Sequence, residues 1–209
     1  MLLKLHAQNP APRALKTIIT CLKDGGVIIY PTDTVYGMGC DIFQHKAVER
    51  ICRIKGVDPL KAQFSFICND LSQLADYAKS IDTPLFRLLK RSLPGPFTFI
   101  LPASKAVPKL LKAKKDTVGI RVPDNVICKT IVAELEHPIM SSSLPGNAPI
   151  AEYTDPEIIH EKFGHLVDIV VDGGIGGAVP STVVDCTGPR PVIVREGAGH
   201  LIGVVIQEW

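Results

Sequence analysis

A polar, glycine-containing stretch follows the first clearly predicted strand, and its side chains are of types that bind ligands. Residues 27–30 are β-formers bounded by glycines before them and by Pro31 after them, which is typical of a short buried strand. The polar side chains that come next are Thr32, Asp33, Thr34 and Tyr36. Gly37 and Gly39 allow positive φ and let the backbone approach a ligand closely. The spacing alone equally fits a tight connection between two strands, with Thr and Asp as turn residues.

Two arginines interrupt apolar runs that are otherwise typical of strands. Arg121 lies within residues 118–123, and Arg195 lies within residues 191–197. A charge inside an apolar strand is unfavourable unless it is paired. A guanidinium group binds a carboxylate or a phosphate through two parallel hydrogen bonds, so an anionic ligand would satisfy each arginine. Salt bridges from edge strands to Asp or Glu are the alternative.

The run P-T-D-T-V-Y-G-M-G-C at residues 31–40 resembles the signature of the YrdC/YciO family. The resemblance extends from about residue 10 to residue 197, and its landmarks occur in family order. They are L-P-G-P-F-T at 93–98, G-I-R-V-P at 119–123, P-S-T-V-V-D at 180–185 and V-R-E-G at 194–197. The best-understood members are threonylcarbamoyl-AMP synthases, which condense threonine, bicarbonate and ATP to threonylcarbamoyl-AMP and pyrophosphate. Their product is used to form threonylcarbamoyl-adenosine on tRNA.

The resemblance implies a fold, a set of ligands and a set of site residues. The fold is α+β (α/β): one YrdC-like domain over residues 1–209, with a large twisted mixed parallel and antiparallel sheet, flanking helices and a concave basic groove. ATP is expected as a substrate, with Mg²⁺ and with L-threonine, and without a permanent cofactor or a metal site. The implied catalytic residues are Lys55, Arg121 and Ser143. The implied binding residues are Thr32, Thr34, Tyr36, Lys55, Thr98, Arg121, Ser143, Ser181, Thr182 and Arg195.

These residue types suit adenylation. The side chains of Lys55, Arg121 and Arg195 would bind phosphate or carboxylate groups and offset the charge that develops as pyrophosphate leaves. The hydroxyl groups of Thr34, Ser143 and Ser181 would position threonine or nucleotide. Taken singly, each hydroxyl residue also fits a turn or a cap, Tyr36 fits a packing role, and Lys55 fits a surface lysine at a helix end.

Two elements of the synthase pattern are incomplete. The K-x-R motif is Lys55-Gly56-Val57 here, so valine replaces the arginine. In the S-x-N motif, Ser143 matches the serine, but Pro145 stands where asparagine is expected, and Asn147 follows two residues later. Loss of one preorganised donor costs on the order of 3 kcal/mol in the transition state. These departures are similar to the YciO branch and predict weak or altered synthase activity, or hydrolysis of threonylcarbamoyl-AMP.

Interleaved helices and strands are predicted along the chain. The predicted helices cover residues 11–23, 46–55, a segment from about 71, 83–92, 126–135 and a segment from 154 or 155 to 162. The predicted strands cover residues 27–30, 63–68, 97–101, 118–123, 139–144, 167–171, 179–185 and 191–197. Because they do not alternate in strict βαβ order, a mixed sheet with helices on its faces is expected.

Composition limits the class of protein. Of the 209 residues, 46% are hydrophobic, which is enough for a sizeable core, yet no run reaches the roughly 18 apolar residues of a membrane span. The N-terminus is too soon interrupted for a signal peptide, so a cytoplasmic location without membrane contact is expected. The six cysteines lack C-x-x-C spacing, and most of them are interpreted as small core residues. The end of the chain soon after residue 197 predicts that it lacks the C-terminal domain of longer relatives.

A run of basic residues supports a second hypothesis. Its members are Arg87, Lys90, Arg91, Lys105, Lys109, Lys112, Lys114 and Lys115. Such a region attracts phosphates or RNA, although a solvated helix face would have the same composition. The alternative function is therefore non-catalytic binding of tRNA or double-stranded RNA, which would weaken steeply with salt.

Overall fold

The computed structural model describes residues 1–59, 62, 64–111, 116–146, 150–201 and 205–206. The helices in these residues are α1 (Pro12–Lys23), α2 (His45–Lys55), α3 (Leu71–Tyr77), α4 (Thr83–Ser92), α5 (Val126–Leu135) and α6 (Pro156–Phe163). Two short 3₁₀ segments cover Lys109–Leu111 and Ile150–Tyr153. No helix in the described ranges is both long enough and apolar enough to cross a bilayer.

Eleven strands of the described residues form one mixed sheet. In chain order they are β1 (Leu2–Lys4), β2 (Ile28–Tyr30), β3 (Gly37–Asp41), β4 (Ser65–Ile67), β5 (Phe97–Pro102), β6 (Thr117–Arg121), β7 (Ile139–Ser143), β8 (Ile169–Asp172), β9 (Thr182–Asp185), β10 (Val192–Arg195) and β11 (Val205–Ile206). Across the sheet the order is β1-β8-β2-β3-β7-β4-β6-β5-β9-β10-β11. The run β2-β3-β7-β4 is antiparallel, whereas β4 and β6 are parallel. The expected mixed sheet with flanking helices is confirmed.

Side-chain caps fix where several helices begin. Asp70, Asp82, Asn125 and Asp155 each accept a hydrogen bond from a backbone N–H in the first turn of the helix that follows. Such a bond satisfies one of the donors that a helix leaves unpaired at its start. Gly56 ends α2 in the left-handed conformation, at φ 64°. These local signals are the reason that the predicted bounds 83–92 and 126–135 agree with the structure.

The two faces of the sheet are covered differently. One face carries the larger core, to which β4, β6 and β5 contribute Phe66, Ile120 and Phe99. On the opposite face, α1 and α5 pack a second core over Ile28, Tyr30 and neighbouring strand residues. Side chains alternate between faces along a strand. The second core includes no residue of β5, β6, β9 or β10. On the same face, the half of the sheet that these four strands form carries the polar groups described below.

The segment after β2 differs from the predicted glycine-bearing turn, because residues 37–41 form β3. Gly37 and Gly39 do not adopt the positive φ that glycine allows. Their role is close packing. A Cβ on Gly39 would lie 2.5 Å from the Met140 carbonyl oxygen and 3.0 Å from Tyr30 Cε1. The buried Tyr30 ring therefore crosses β3 over its glycines.

We expect Gly39→Ala to lower the free energy of unfolding by about 2 kcal/mol, because the new methyl group overpacks a site walled by backbone. Urea denaturation measures the change. Gly188→Ala is the matched control, since its Cβ would meet nothing closer than the Arg190 carbonyl oxygen at 4.0 Å. Equal stability of the two variants would contradict this account of β3.

Other differences from the sequence prediction lie at element ends. The short strands β1 and β11 were not expected from the sequence. The strand predicted from residue 63 begins at Ser65, and Gln63 itself lies outside the described residues. Five of the six cysteines are buried and all six are free thiols, which confirms the core interpretation for Cys40, Cys52, Cys68, Cys128 and Cys186.

Candidate active site

A cavity of about 290 Å³ lies where the loop before β3 meets the polar half of the sheet. Strands β5, β6, β7, β9 and β10, or the residues that flank them, all contribute to its wall. The polar side chains among its described lining residues are Tyr36, Ser65, Thr98, Thr117, Arg121, Ser141, Ser142, Ser143, Ser181 and Arg195. Among these described residues the only charged side chains are the two arginines. The cavity is therefore suited to an anion.

Arg121 joins the floor of the cavity to the polar loop. Its Nη2 donates to Asp33 Oδ1 at 2.9 Å and to Thr34 Oγ1 at 2.8 Å. Asp33 in turn accepts a bond from the backbone N–H of Asp124 at 3.1 Å. The ion pair is buried, with the two side chains 9% and 8% exposed. Arg121 Nε is also buried and has no hydrogen-bond partner in the described part of the chain.

Arg195 reaches the same cavity from β10. Its Nη2 donates to the Ser181 carbonyl oxygen at 2.7 Å and to Ser181 Oγ at 3.3 Å. Ser181 Oγ is also 2.8 Å from Thr98 Oγ1. Burial and the nearby charge of Arg121 lower the pKa of Arg195. No carboxylate of the described residues pairs with Arg195, so an anion between the two arginines would relieve their repulsion.

Lys55 contacts the end of β7 instead of a carboxylate. The last residue of α2 places its Nζ 2.7 Å from the Ser143 carbonyl oxygen and 3.1 Å from Ser143 Oγ. Burial lowers the pKa of Lys55. Because Ser143 lines the cavity, this bond holds the cation and the hydroxyl group of the implied catalytic set together. Val57, two residues beyond Lys55, is 37% exposed.

The loop residues have unequal relations to the cavity. Thr32 is buried, donates to the Val35 carbonyl oxygen at 2.6 Å and lies 3.1 Å from Thr34 Oγ1. It therefore shapes the loop from within. Tyr36 lines the cavity, but its hydroxyl donates to the Gly174 carbonyl oxygen at 2.7 Å. The Tyr36 ring therefore forms part of the cavity wall, and its hydroxyl hydrogen is already donated to Gly174.

Some predicted site residues lie away from the cavity. Thr182 is absent from its described lining, and its buried hydroxyl donates to the Gly199 carbonyl oxygen at 2.6 Å. Its neighbour Ser181 faces the cavity, so strand alternation sends Thr182 to the other face. Pro145 follows Ser143 by two residues, whereas Asn147 lies outside the described residues.

Several lining residues were not predicted. Among them are Ser65, Thr117, Gly119, Ser141 and Ser142. Ser65 pairs with both Ser141 and Gly119 across the sheet, so neighbouring strands place them together on one face. The alternation of Thr117, Gly119 and Arg121 with apolar residues was the available signal in the sequence.

The described residues of the predicted basic region lie in separate places on the surface. Arg87, Lys90 and Arg91 are exposed on α4, whose Leu88 and Leu89 pack into the core on the face opposite the cavity. Lys105 and Lys109 are exposed beyond β5, and Lys112, Lys114 and Lys115 lie outside the described residues. The basic groove and RNA binding therefore both stay predictions.

The described residues contain no cluster of three or more His, Cys, Asp or Glu side chains able to hold a metal ion. This finding concerns protein ligands only. A Mg²⁺ ion that accompanies ATP would be held by the phosphate oxygens of the nucleotide, because Mg²⁺ commonly binds through substrate phosphates.

Comparisons with known proteins identify relatives over nearly the whole chain. The YciO protein of Escherichia coli K12 is 42% identical over 200 residues, covering 94% of this chain and 95% of that protein. The crystal structure of E. coli YciO matches with a TM-score of 0.88 at 40% identity, covering 96% of this chain and 97% of that one.

Two further relatives have names that describe a ligand or a reaction. The threonylcarbamoyl-AMP synthase of Coxiella burnetii (strain RSA 493) is 34% identical over 166 residues, covering 78% of this chain and 87% of that protein. P. abyssi Sua5, solved as a complex with L-threonine, matches with a TM-score of 0.83 at 29% identity, covering 94% of this chain and 57% of that one. A family model for Sua5/YciO/YrdC, described as telomere recombination, matches residues 20–197. The chain therefore belongs to the Sua5/YciO/YrdC family.

Proposed function

We propose that the cavity binds L-threonine, bicarbonate and ATP and forms threonylcarbamoyl-AMP, pyrophosphate and water, at a rate reduced by Val57 and Pro145. The observation that carries the proposal is the convergence of Arg121 and Arg195 on one hydroxyl-lined cavity that lacks acidic side chains among its described residues. Arg121 is already paired with Asp33, whereas Arg195 has no carboxylate partner among the described residues, so the pair of arginines keeps a net positive charge that favours an anionic ligand. A threonine-derived carbamate beside the phosphates of ATP is such a ligand.

Each group in the site has a part in this reaction. An oxygen of the carbamate forms the bond to the α-phosphorus of ATP, and the bond from that phosphorus to the bridging oxygen breaks as pyrophosphate leaves. Arg121 and Arg195 offset the negative charge that gathers on the phosphoryl oxygens. Lys55, held at Ser143, adds a third cation near the cavity. Mg²⁺ would enter as its complex with ATP.

The support from relatives is of two kinds. The Coxiella synthase is named for this reaction, and the P. abyssi structure contains L-threonine. The higher identity, however, is to E. coli YciO. Threonylcarbamoyl-AMP hydrolysis at the same cavity is the second arm of the proposal, since the incomplete K-x-R and S-x-N motifs predict altered synthase activity. With either reaction we propose a role in tRNA modification.

Release of pyrophosphate from ATP tests the proposal, with L-threonine and bicarbonate present and with each omitted in turn. We expect slow release that requires all three substrates. Threonylcarbamoyl-AMP supplied alone tests for hydrolysis. The proposal fails if neither reaction occurs and calorimetry detects no binding of L-threonine or ATP. Salt-sensitive binding of tRNA or double-stranded RNA in that protein would instead support the non-catalytic alternative.

A further inference from the structure

A buried hydrogen bond runs from the smaller core into the cavity. Tyr30, at the end of β2, is fully buried, and its Oη donates to Ser141 Oγ on β7 at 2.6 Å. Strand β3 lies between these two strands. The bond can pass over Gly37 because that residue has no side chain: a Cβ there would lie 3.1 Å from Ser141 Oγ and 3.4 Å from Tyr30 Oη.

The direction of this bond leaves a proton on Ser141 unused. A serine hydroxyl has one hydrogen and two acceptor lone pairs. Ser141 Oγ accepts the hydrogen of Tyr30, and no described residue accepts the hydrogen of Ser141 in return. Burial raises the pKa of Tyr30, so its hydroxyl stays protonated throughout the working pH range. Tyr30 therefore remains a donor.

Ser141 lies beside the ligand space, and its unused donor can turn into reach of that space. The residue is 4% exposed and lines the cavity that also contains Arg121 and Arg195. Ser65 donates at 3.4 Å to the backbone carbonyl of Ser141, so its own hydroxyl hydrogen is directed away from Ser141 Oγ. A hydroxyl that accepts one hydrogen bond becomes a stronger donor of another.

We infer that Ser141 donates a hydrogen bond to an anionic oxygen of the bound ligand, and that Tyr30 is the positioning residue that orients and polarises the Ser141 hydroxyl. The inference rests on the proposed function, because it requires an anionic ligand in this cavity. A carboxylate of threonine and a phosphate of ATP offer the same acceptor chemistry, and separate titrations distinguish them.

Calorimetric titration with L-threonine and with ATP tests the relay in the wild type, Tyr30→Phe, Ser141→Ala and the double variant. We expect Ser141→Ala to weaken binding of one probe about tenfold, the effect of losing a hydrogen bond to a charged group. Tyr30→Phe should weaken binding of the same probe by a smaller factor. The double variant should bind no more weakly than Ser141→Ala, because Tyr30 acts only through that hydroxyl.

Tyr77→Phe is the matched control, since Tyr77 is buried in the core on the other face. It should bind both probes as the wild type does. Thermal melting of every variant separates loss of fold from loss of binding. Wild-type affinity in Ser141→Ala would overturn the inference. It would also be overturned if the effects of the two single changes multiplied in the double variant. Either result would leave the proposed function intact. A wild-type protein that binds neither probe would overturn both.

Discussion

Arg121→Ala should abolish measurable binding of L-threonine and ATP and should also destabilise the fold. The substitution removes the guanidinium from the cavity and leaves Asp33, whose side chain is only 8% exposed, without its cation. Truncation of one partner in a buried pair costs about 3–5 kcal/mol of stability, because the other charge stays buried. Loss of the ligand contact should weaken binding by about a hundredfold or more. Calorimetry measures the loss of binding, and urea denaturation measures the loss of stability.

A double variant separates these two effects. In Arg121→Ala/Asp33→Ala the unpaired carboxylate is gone, so much of the lost stability should return. Binding should not return, since the cation that faces the ligand is still missing. Arg121→Lys keeps the charge but not the planar fork, and we expect intermediate affinity. Tight binding of both ligands by a folded Arg121→Ala protein would contradict the assignment of Arg121 to the ligand.

Local sequence signals were sufficient to predict most helix bounds and to predict that the two arginines lie on strands. Asp82 and Asn125 cap α4 and α5, and both helices begin at the residues that the sequence predicts, 83 and 126. Arg121 lies in a run where Thr117, Gly119 and Arg121 alternate with Val118, Ile120 and Val122. Such a run indicates a strand with one apolar face, so a charge on its polar face has to meet a partner or a ligand.

The ion-pair alternative for Arg121 and the ligand hypothesis are both consistent with the geometry. Nη2 is paired with Asp33, whereas Nε is buried and unpaired in the described part of the chain. No sequence pattern could reveal that Asp33 is the partner of Arg121, because the two residues are 88 positions apart. The partner depends on how β6 is placed relative to the loop before β3.

The parts that sequence did not predict depend on sheet order. Residues 37–41 contain two glycines and one aspartate, a composition with low β-propensity, yet they form β3. Tertiary packing decides the outcome, since the Tyr30 ring requires glycines beneath it. Ser141 likewise looks like one polar residue in a serine run. Its role as acceptor from Tyr30 follows only when β2, β3 and β7 are adjacent.

Val57→Arg combined with Pro145→Asn should raise pyrophosphate release by about two orders of magnitude, the effect of restoring a preorganised donor. Lys55 Nζ contacts Ser143, so the segments that carry positions 57 and 145 are already held together. An arginine at the exposed position 57 adds a permanent charge close to Lys55. An asparagine at position 145 adds a donor and an acceptor where proline has no amide hydrogen. Steady-state pyrophosphate release with L-threonine, bicarbonate and ATP measures the gain.

The matched control for this gain is Val179→Arg, which adds the same charge at another exposed valine, two residues before Ser181. If added positive charge alone attracted ATP, Val179→Arg would raise the rate as well, and high salt would remove both gains. If position is decisive, only the pair at 57 and 145 acts, and its gain appears in kcat because the added groups act on charge that develops in the transition state. No gain from the double variant, in a protein that still binds both ligands, would show that more than these two side chains separates this cavity from a fast synthase.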